Sequence, residues 1–264
     1  MIWLLGVLVG LVLGLTGAGG GMLAVPALMF GLGWTVTQAS PVALLAVAGA
    51  AWVGTGDGLR SGLARYRAAL VMAAAAVPSV SLGLMLGHRL PATSLSVLFA
   101  IVMVVIALRL LRQPAGRVEH EHVICRIHAD SGRFIWTRPT FFAITGFGLL
   151  SGLLTGLLGV GGGFVIVPVL ARFTELSQAA VVATSLMVVA LISTLGIFLA
   201  WLHGAQLPLA VTLPFLVAVM TGMVLGRLGS RHVSAAASQR GFAVLMLAVA
   251  AALLVHAWHP DFGV

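Results

Sequence analysis

The residues best placed to do chemistry in this chain are glycines. Gly17-Ala-Gly-Gly-Gly-Met-Leu-Ala-Val-Pro-Ala-Leu28 recurs 142 residues later as Gly159-Val-Gly-Gly-Gly-Phe-Val-Ile-Val-Pro-Val-Leu170, with seven of the twelve positions identical. Glycine clusters make poor helix interior, and Pro26 and Pro168 each remove a backbone donor a few residues on. Each motif therefore reads as a broken helix: a segment, a Gly turn, then a second segment starting near Met22 or Phe164. A half-helix start offers free N–H groups and the positive end of a dipole, which suit an anion. Glycine lets that backbone approach a ligand with no Cβ in the way. The candidate ligand groups are thus the backbone of Gly17, Gly19, Gly20, Gly21, Gly159, Gly161, Gly162 and Gly163. Thr16, Thr155, Thr184 and Ser185 add hydroxyls, and Gln38 and Gln178 add amides at matching helix starts. Each has a plainer reading: glycines pack helices, a membrane threonine bonds its own backbone, and a glutamine caps. The core is neither a P-loop, lacking Gly-Lys-Ser/Thr, nor a Rossmann fingerprint, with Met22 and Phe164 where the third glycine belongs.

Other reactive groups are sparse. No acid lies well inside an apolar stretch. Asp57 stands near Arg60 at the end of one, as an interfacial ion pair would, and His203 closes another. Glu119-His120-Glu121-His122, Cys125 and His128 could hold a transition metal, but the spacing matches no strong zinc signature and reads equally as a small solvated hairpin before Phe134. No metal site, cofactor or catalytic residue is assigned. Nothing resembles a nucleophile–base constellation, so the chain is not read as an enzyme.

The elements that must carry these groups follow from composition. Of 264 residues 61% are apolar, mean hydropathy is +1.16, and 8% are charged, against roughly 25% in a soluble domain. That excludes a water-soluble globule and a disordered chain. Fourteen arginines without a lysine give +8; they lie mostly between apolar blocks, where orientation in the membrane explains them without nucleic acid. A single cysteine excludes a disulfide framework. Residues 1–15 lack a basic n-region, and their motif recurs in mid-chain, so they read as part of the machine rather than a signal peptide.

The repeat organises the rest. Gly6, Gly10 and Gly14 match Gly148, Gly152 and Gly156; Gly54 matches Gly196, and with small gaps Gly83/Gly87 match Gly222/Gly226. The spacing of these glycines serves close helix packing. The expectation is an all-α polytopic membrane protein of about eight transmembrane helices in two homologous four-span repeats, each opening with a Gly-broken helix. Residues 1–112 form the first repeat, 113–138 a cytoplasmic linker loop and 139–264 the second repeat. The expected spans are 2–30, 39–53, 68–87, 92–111, 140–170, 179–202, 207–226 and 242–257. In that frame nine arginines fall on the side of the termini (Arg60 through Arg138, without Arg89) and five on the other (Arg89, Arg172, Arg227, Arg231, Arg240). Both termini are then expected in the cytoplasm. A re-entrant hairpin at a glycine break would change that count and could invert the repeats. Paired breaks at matching positions are also the sequence pointer to a transporter's binding site.

The doubled glycine motif near the start of each half resembles the sulfite exporter TauE/SafE family, over essentially the whole chain. Ala183-Thr184-Ser185-Leu186 is similar to a further family stretch; the first half carries Pro41-Val42-Ala43-Leu44-Leu45 there, without a hydroxyl pair. The resemblance implies a bacterial inner-membrane permease moving sulfite or a related organosulfur anion. The expected function is a secondary transporter of a small sulfur-containing oxyanion, working by alternating access around the helix breaks. The alternatives are transport of an unrelated solute or metal ion, or a non-transporting scaffold. The expected partners are the small anionic substrate and the lipid bilayer, with no nucleic acid; a homo-oligomer is left open.

Overall fold

The computed structural model describes residues 1–17, 20–112, 125, 134–205, 207–230 and 234–258. These form ten α-helices: α1 Ile2–Thr16, α2 Ala24–Leu32, α3 Val36–Arg60, α4 Tyr66–Arg89, α5 Ala92–Arg112, α6 Arg138–Leu158, α7 Gly163–Phe173, α8 Gln178–Leu202, α9 Leu209–Gly229 and α10 Ala235–Trp258. A 3-10 turn, Gly20–Leu23, leads into α2. Seven helices among the described residues are long and apolar enough to cross a bilayer. The others are 15, 9 and 11 residues long, about 14–23 Å at 1.5 Å per residue against a hydrocarbon core of ~30 Å.

The short helices correct the expectation of a single broken span at the head of each half. Both glycine breaks reverse the chain. A Cβ on Gly20 would strike the backbone of Leu13, and one on Gly31 the side chain of Leu5, so α2 folds back antiparallel along α1. In the second half Gly162 lies on Ser151, and Phe173 stacks on Phe147 at 5.5 Å, so α7 folds back along α6. Leu5 and Gly31 shifted by 142 become Phe147 and Phe173. The reversal is the same hairpin twice.

Each half therefore holds five segments instead of four, and corresponding segments point in opposite directions. Gly6, Gly10 and Gly14 of α1 meet Phe215, Val219 and Met223 of α9 in ascending order, so those helices are parallel. Gly148, Gly152 and Gly156 of α6 climb α4 likewise, past Met72, Ala76 and Val80. Bare glycine on both partners brings the backbones into contact, which supplies the van der Waals packing that holds helices together in lipid. By contrast α3 and α8 run antiparallel: Gly58 faces Ala183, and the Trp52 indole N–H donates to Thr194 Oγ1 at 3.0 Å. Trp52 and Thr194 are 142 residues apart, so the same position of each half touches its counterpart.

Helix ends are set by local chemistry. Thr35 and Gln38 form a capping box at the start of α3, where the Thr35 N–H donates to Gln38 Oε1 at 3.1 Å. Gly33 and Gly159 end α2 and α6 in left-handed conformation, at φ +66° and +69°. Exposed Trp3 and Trp201 lie at one end of the bundle and Tyr66 and Trp136 at the other, as expected of rings anchored at the two membrane interfaces. Arginine is distributed unequally. Arg60, Arg65, Arg67, Arg109, Arg112, Arg138, Arg172, Arg227 and Arg240 lie toward the end where α1, α3, α5 and α9 finish; among the described residues only Arg89 lies at the other.

Candidate functional site

Two cavities enter the bundle from opposite ends. The larger, about 700 Å³, opens at the arginine-poor end between the starts of α3 and α5 and the ends of α4, α6 and α8; Gln38, Ser40, Leu44, His88, Gly156 and Leu157 are among its walls. It stops just short of the second glycine turn, whose Gly159 lies against Ser40. The smaller, about 250 Å³, lies toward the arginine-rich end; Thr16, Phe164, Pro168, Gln178, Val182 and Gln239 line it. It reaches the first glycine turn, where a Cβ on Gly17 would lie 2.7 Å from Val182 Cγ1. Gln38 and Gln178, matched in the repeat, thus line one cavity each.

Between the cavities the two turns touch. A Cβ on Gly21 would lie 3.1 Å from Val47 Cγ1 and 3.3 Å from the Val160 carbonyl oxygen. Gly161 packs on Val47, Val189 and Ser193. Val47 and Val189 sit near the middles of α3 and α8, so the contact lies at mid-depth, enclosed by buried Met22, Val160 and Phe164. Gly161 and Gly162 adopt φ +76° and +65°, a left-handed backbone that only glycine takes at no cost. Gly163 opens α7 and is buried. Gly20 is committed to Leu13, and Gly19 lies outside the described residues.

The hydroxyls divide. Thr16 Oγ1 donates to the Val12 carbonyl at 2.8 Å and accepts from the Gly20 N–H at 3.1 Å, so it fixes the first turn. Thr155 is fully buried, and its Oγ1 donates to the Ser151 carbonyl at 2.7 Å. Thr184 and Ser185 are buried on α8. Thr184 Oγ1 accepts from the Arg65 backbone N–H at 3.0 Å, holding the α3–α4 connection, and Ser185 Oγ donates to the Val182 carbonyl at 2.9 Å. Gln38 spends its carbonyl oxygen in the α3 cap. Two residues that sequence reasoning passed over stand at the second turn instead: Ser151 and Ser193, both 0% exposed, press on Gly162 and Gly161 and have no hydrogen-bond partner. The available signal was that Ser151 precedes Thr155 by one helical turn, on the same face.

Charged groups keep to the ends. Asp57 pairs with Arg227 of α9 at 2.7 Å rather than with Arg60, and Arg227 also donates to the Gly54 carbonyl at 3.2 Å. The pair ties α3 of one half to α9 of the other. Cys125 is buried, and its N–H donates to the Phe173 carbonyl at 3.0 Å. Burial pushes its thiol above the ordinary value, opposed by a hydrogen bond with Thr140. That environment holds a protonated thiol; the rest of the expected hairpin, with His120, His122 and His128, lies outside the described residues.

Two short turns meet at mid-depth with a cavity on either side, and among the described residues the charged groups lie at helix ends or in connections. A "Probable membrane transporter protein" of Xylella fastidiosa (strain Temecula1) is 28% identical over 261 residues, covering 96% of this chain and 94% of its own. "Probable membrane transporter protein YunE" of Bacillus subtilis (strain 168) is 30% identical over 211 residues, covering 73% and 74%. No solved structure matches. The family model described as "Sulfite exporter TauE/SafE" matches residues 2–253, and the chain belongs to that family of membrane transporters.

Proposed function

We propose that this protein is a secondary transporter of a small sulfur-containing oxyanion, such as sulfite or an organosulfonate, in the bacterial inner membrane. The observation that carries the reading is the pair of cavities, one from each end, that stop on either side of the contact between the glycine turns. Repeats 1–112 and 139–264 run in opposite directions, so exchanging their conformations would shrink the larger cavity and enlarge the smaller. Unwound backbone at membrane depth is tolerable where it is buried in protein or lines such a cavity. The glycine turns, with Thr16, Thr155, Gln38 and Gln178 around them, form the substrate passage. Thr184 and Ser185 support it from the α3–α4 connection.

The test is flux into proteoliposomes with sulfite, thiosulfate, methanesulfonate and a carboxylate. Uptake of sulfite and methanesulfonate is the expected result. Cation flux without flux of any oxyanion would overturn the reading.

We propose the reverse of the orientation read from sequence. With each half holding five segments, both termini lie opposite the arginine-rich end. Arginine concentrates in cytoplasmic loops, so Arg60, Arg112 and Arg138 are placed at the cytoplasmic face, with Met1 and the end of α10 outside. Because Cys125 is the sole cysteine and is buried, labelling has little background. In whole cells an impermeant maleimide is expected to label His203→Cys and spare Arg60→Cys; native Cys125 should react only after denaturation. The reverse pattern would restore the termini to the cytoplasm.

A further inference from the structure

Resting on the oxyanion reading above, we infer that Ser151 and Ser193, with the start of α7, form the substrate's binding site, and that it selects small monoanions.

Three observations converge on one spot. Both serine side chains are 0% exposed, and each Oγ lacks a hydrogen-bond partner. A buried hydroxyl left unpaired costs free energy, so two of them at one turn need a reason. Both press on the backbone that precedes α7, Ser151 on Gly162 and Ser193 on Gly161. There α7, 11 residues long, starts without a side-chain cap, because its N-cap is Gly162. The first N–H groups of a helix have no partner within it. Here the Val165 N–H turns back on the Gly162 carbonyl at 3.2 Å, so the N–H groups ahead of it, those of Gly163 and Phe164, are the ones directed at a ligand. Two uncommitted hydroxyl donors beside uncapped N–H groups suit a ligand that only accepts hydrogen bonds and carries negative charge.

The site belongs to the second half alone. Shifted by 142, Ser151 and Ser193 become Val9 and Ala51, which are buried and carry no hydroxyl. One hydroxyl-lined site lies beside one turn of a doubled fold, so a single anion is held per cycle. The charge it can carry is limited. Every arginine, aspartate and glutamate among the described residues lies at a helix end or in a connection. A site without a counter-charge tolerates one buried negative charge far better than two, because the cost of desolvation rises steeply with charge. A sulfonate or bisulfite fits; sulfate does not.

The test uses the full-length protein in proteoliposomes and in detergent. Ser151→Ala and Ser193→Ala are each expected to raise the KM for methanesulfonate about 10-fold or more, as expected for losing a hydrogen bond to a charged group. Neither should lower the thermal midpoint, since each removes an unpaired buried hydroxyl. Ala51→Ser, at the counterpart position, should leave KM unchanged, and sulfate should fail to compete with methanesulfonate in the wild type. Wild-type transport with KM within about 2-fold in both serine variants would overturn the site and leave oxyanion transport standing. A KM rise accompanied by a lowered midpoint would make the serines structural and overturn it too. Competition by sulfate would overturn the monoanion selectivity. A wild type that moves no oxyanion would remove the transport reading and this site together.

Discussion

Gly10→Val is expected to yield little or no assembled protein. A Cβ there would be driven against the Val219 carbonyl oxygen and come within 2.8 Å of the Met223 nitrogen. Both obstacles are backbone, so no rotamer change relieves them. Across the interface Gly222 and Gly226 press in turn on Val7 and Leu11 backbone, so α9 cannot retreat without opening the whole α1–α9 seam. The cost lies above about 3 kcal/mol, beyond the usual range of overpacking. It should appear as loss of the monodisperse peak and of the thermal transition in detergent. Gly146→Ala, on α6, meets no atom within 4 Å. It is expected to raise stability by about 0.5–1 kcal/mol, the ordinary gain for glycine to alanine inside a helix. Equal behaviour of the two variants would disprove the packing account.

The second large effect concerns function. Gly162→Ala is expected to cut transport by about 100-fold, the scale on which small displacements of a positioning backbone act. Two costs combine. Alanine at φ +65° carries a penalty of about 1–2 kcal/mol, and its Cβ would collide with Ser151 Oγ and approach the Ser151 carbonyl to 2.8 Å. Gly33→Ala isolates the first cost: φ is +66° and no atom lies within 4 Å. That variant should transport within about 2-fold of wild type while showing a comparable backbone penalty in its thermal midpoint. Similar flux losses in both would mean that left-handed strain, rather than crowding of Ser151, controls the turn.

Much of this was legible in the sequence. Expected spans at 92–111 and 179–202 became Ala92–Arg112 and Gln178–Leu202, because long apolar blocks leave a membrane chain few choices. The span expected at 39–53 runs instead from Val36 to Arg60. Gly54, Thr55, Gly56 and Asp57 read as a helix end, yet Gly54 packs against Met223 and Leu186, and Asp57 is paired with Arg227. Contacts from the other half carry the helix on. The direction of the chain after each glycine turn was not legible from local sequence. A collinear break and a hairpin share the same Gly-Gly-Gly, and the choice is made by Gly20 seating on Leu13 and Gly31 on Leu5. The arginines held a usable hint. Counted with four segments per half they divided nine to five; with hairpins nine of the ten described fall on one side. The positive-inside bias favours the second frame. Ser151 and Ser193 escaped notice because a buried serine announces itself only through the partner it lacks.

The ion pair at the arginine-rich end bears on how the transporter spends its time. Under the alternating access proposed above, identical halves would make the inward-open and outward-open forms equivalent by a two-fold rotation and equal in energy. Asp57 and Arg227 break that degeneracy: their counterparts are Leu199 and His88, which cannot pair. The form in which Asp57 and Arg227 meet gains a tie that the exchanged form lacks. Both side chains are partly exposed, at 60% and 32%, so the tie is worth about 1 kcal/mol or less. That is a population ratio of up to about 5 to 1: a resting preference for the form with the larger cavity on the arginine-poor side, weak enough for a bound substrate to reverse.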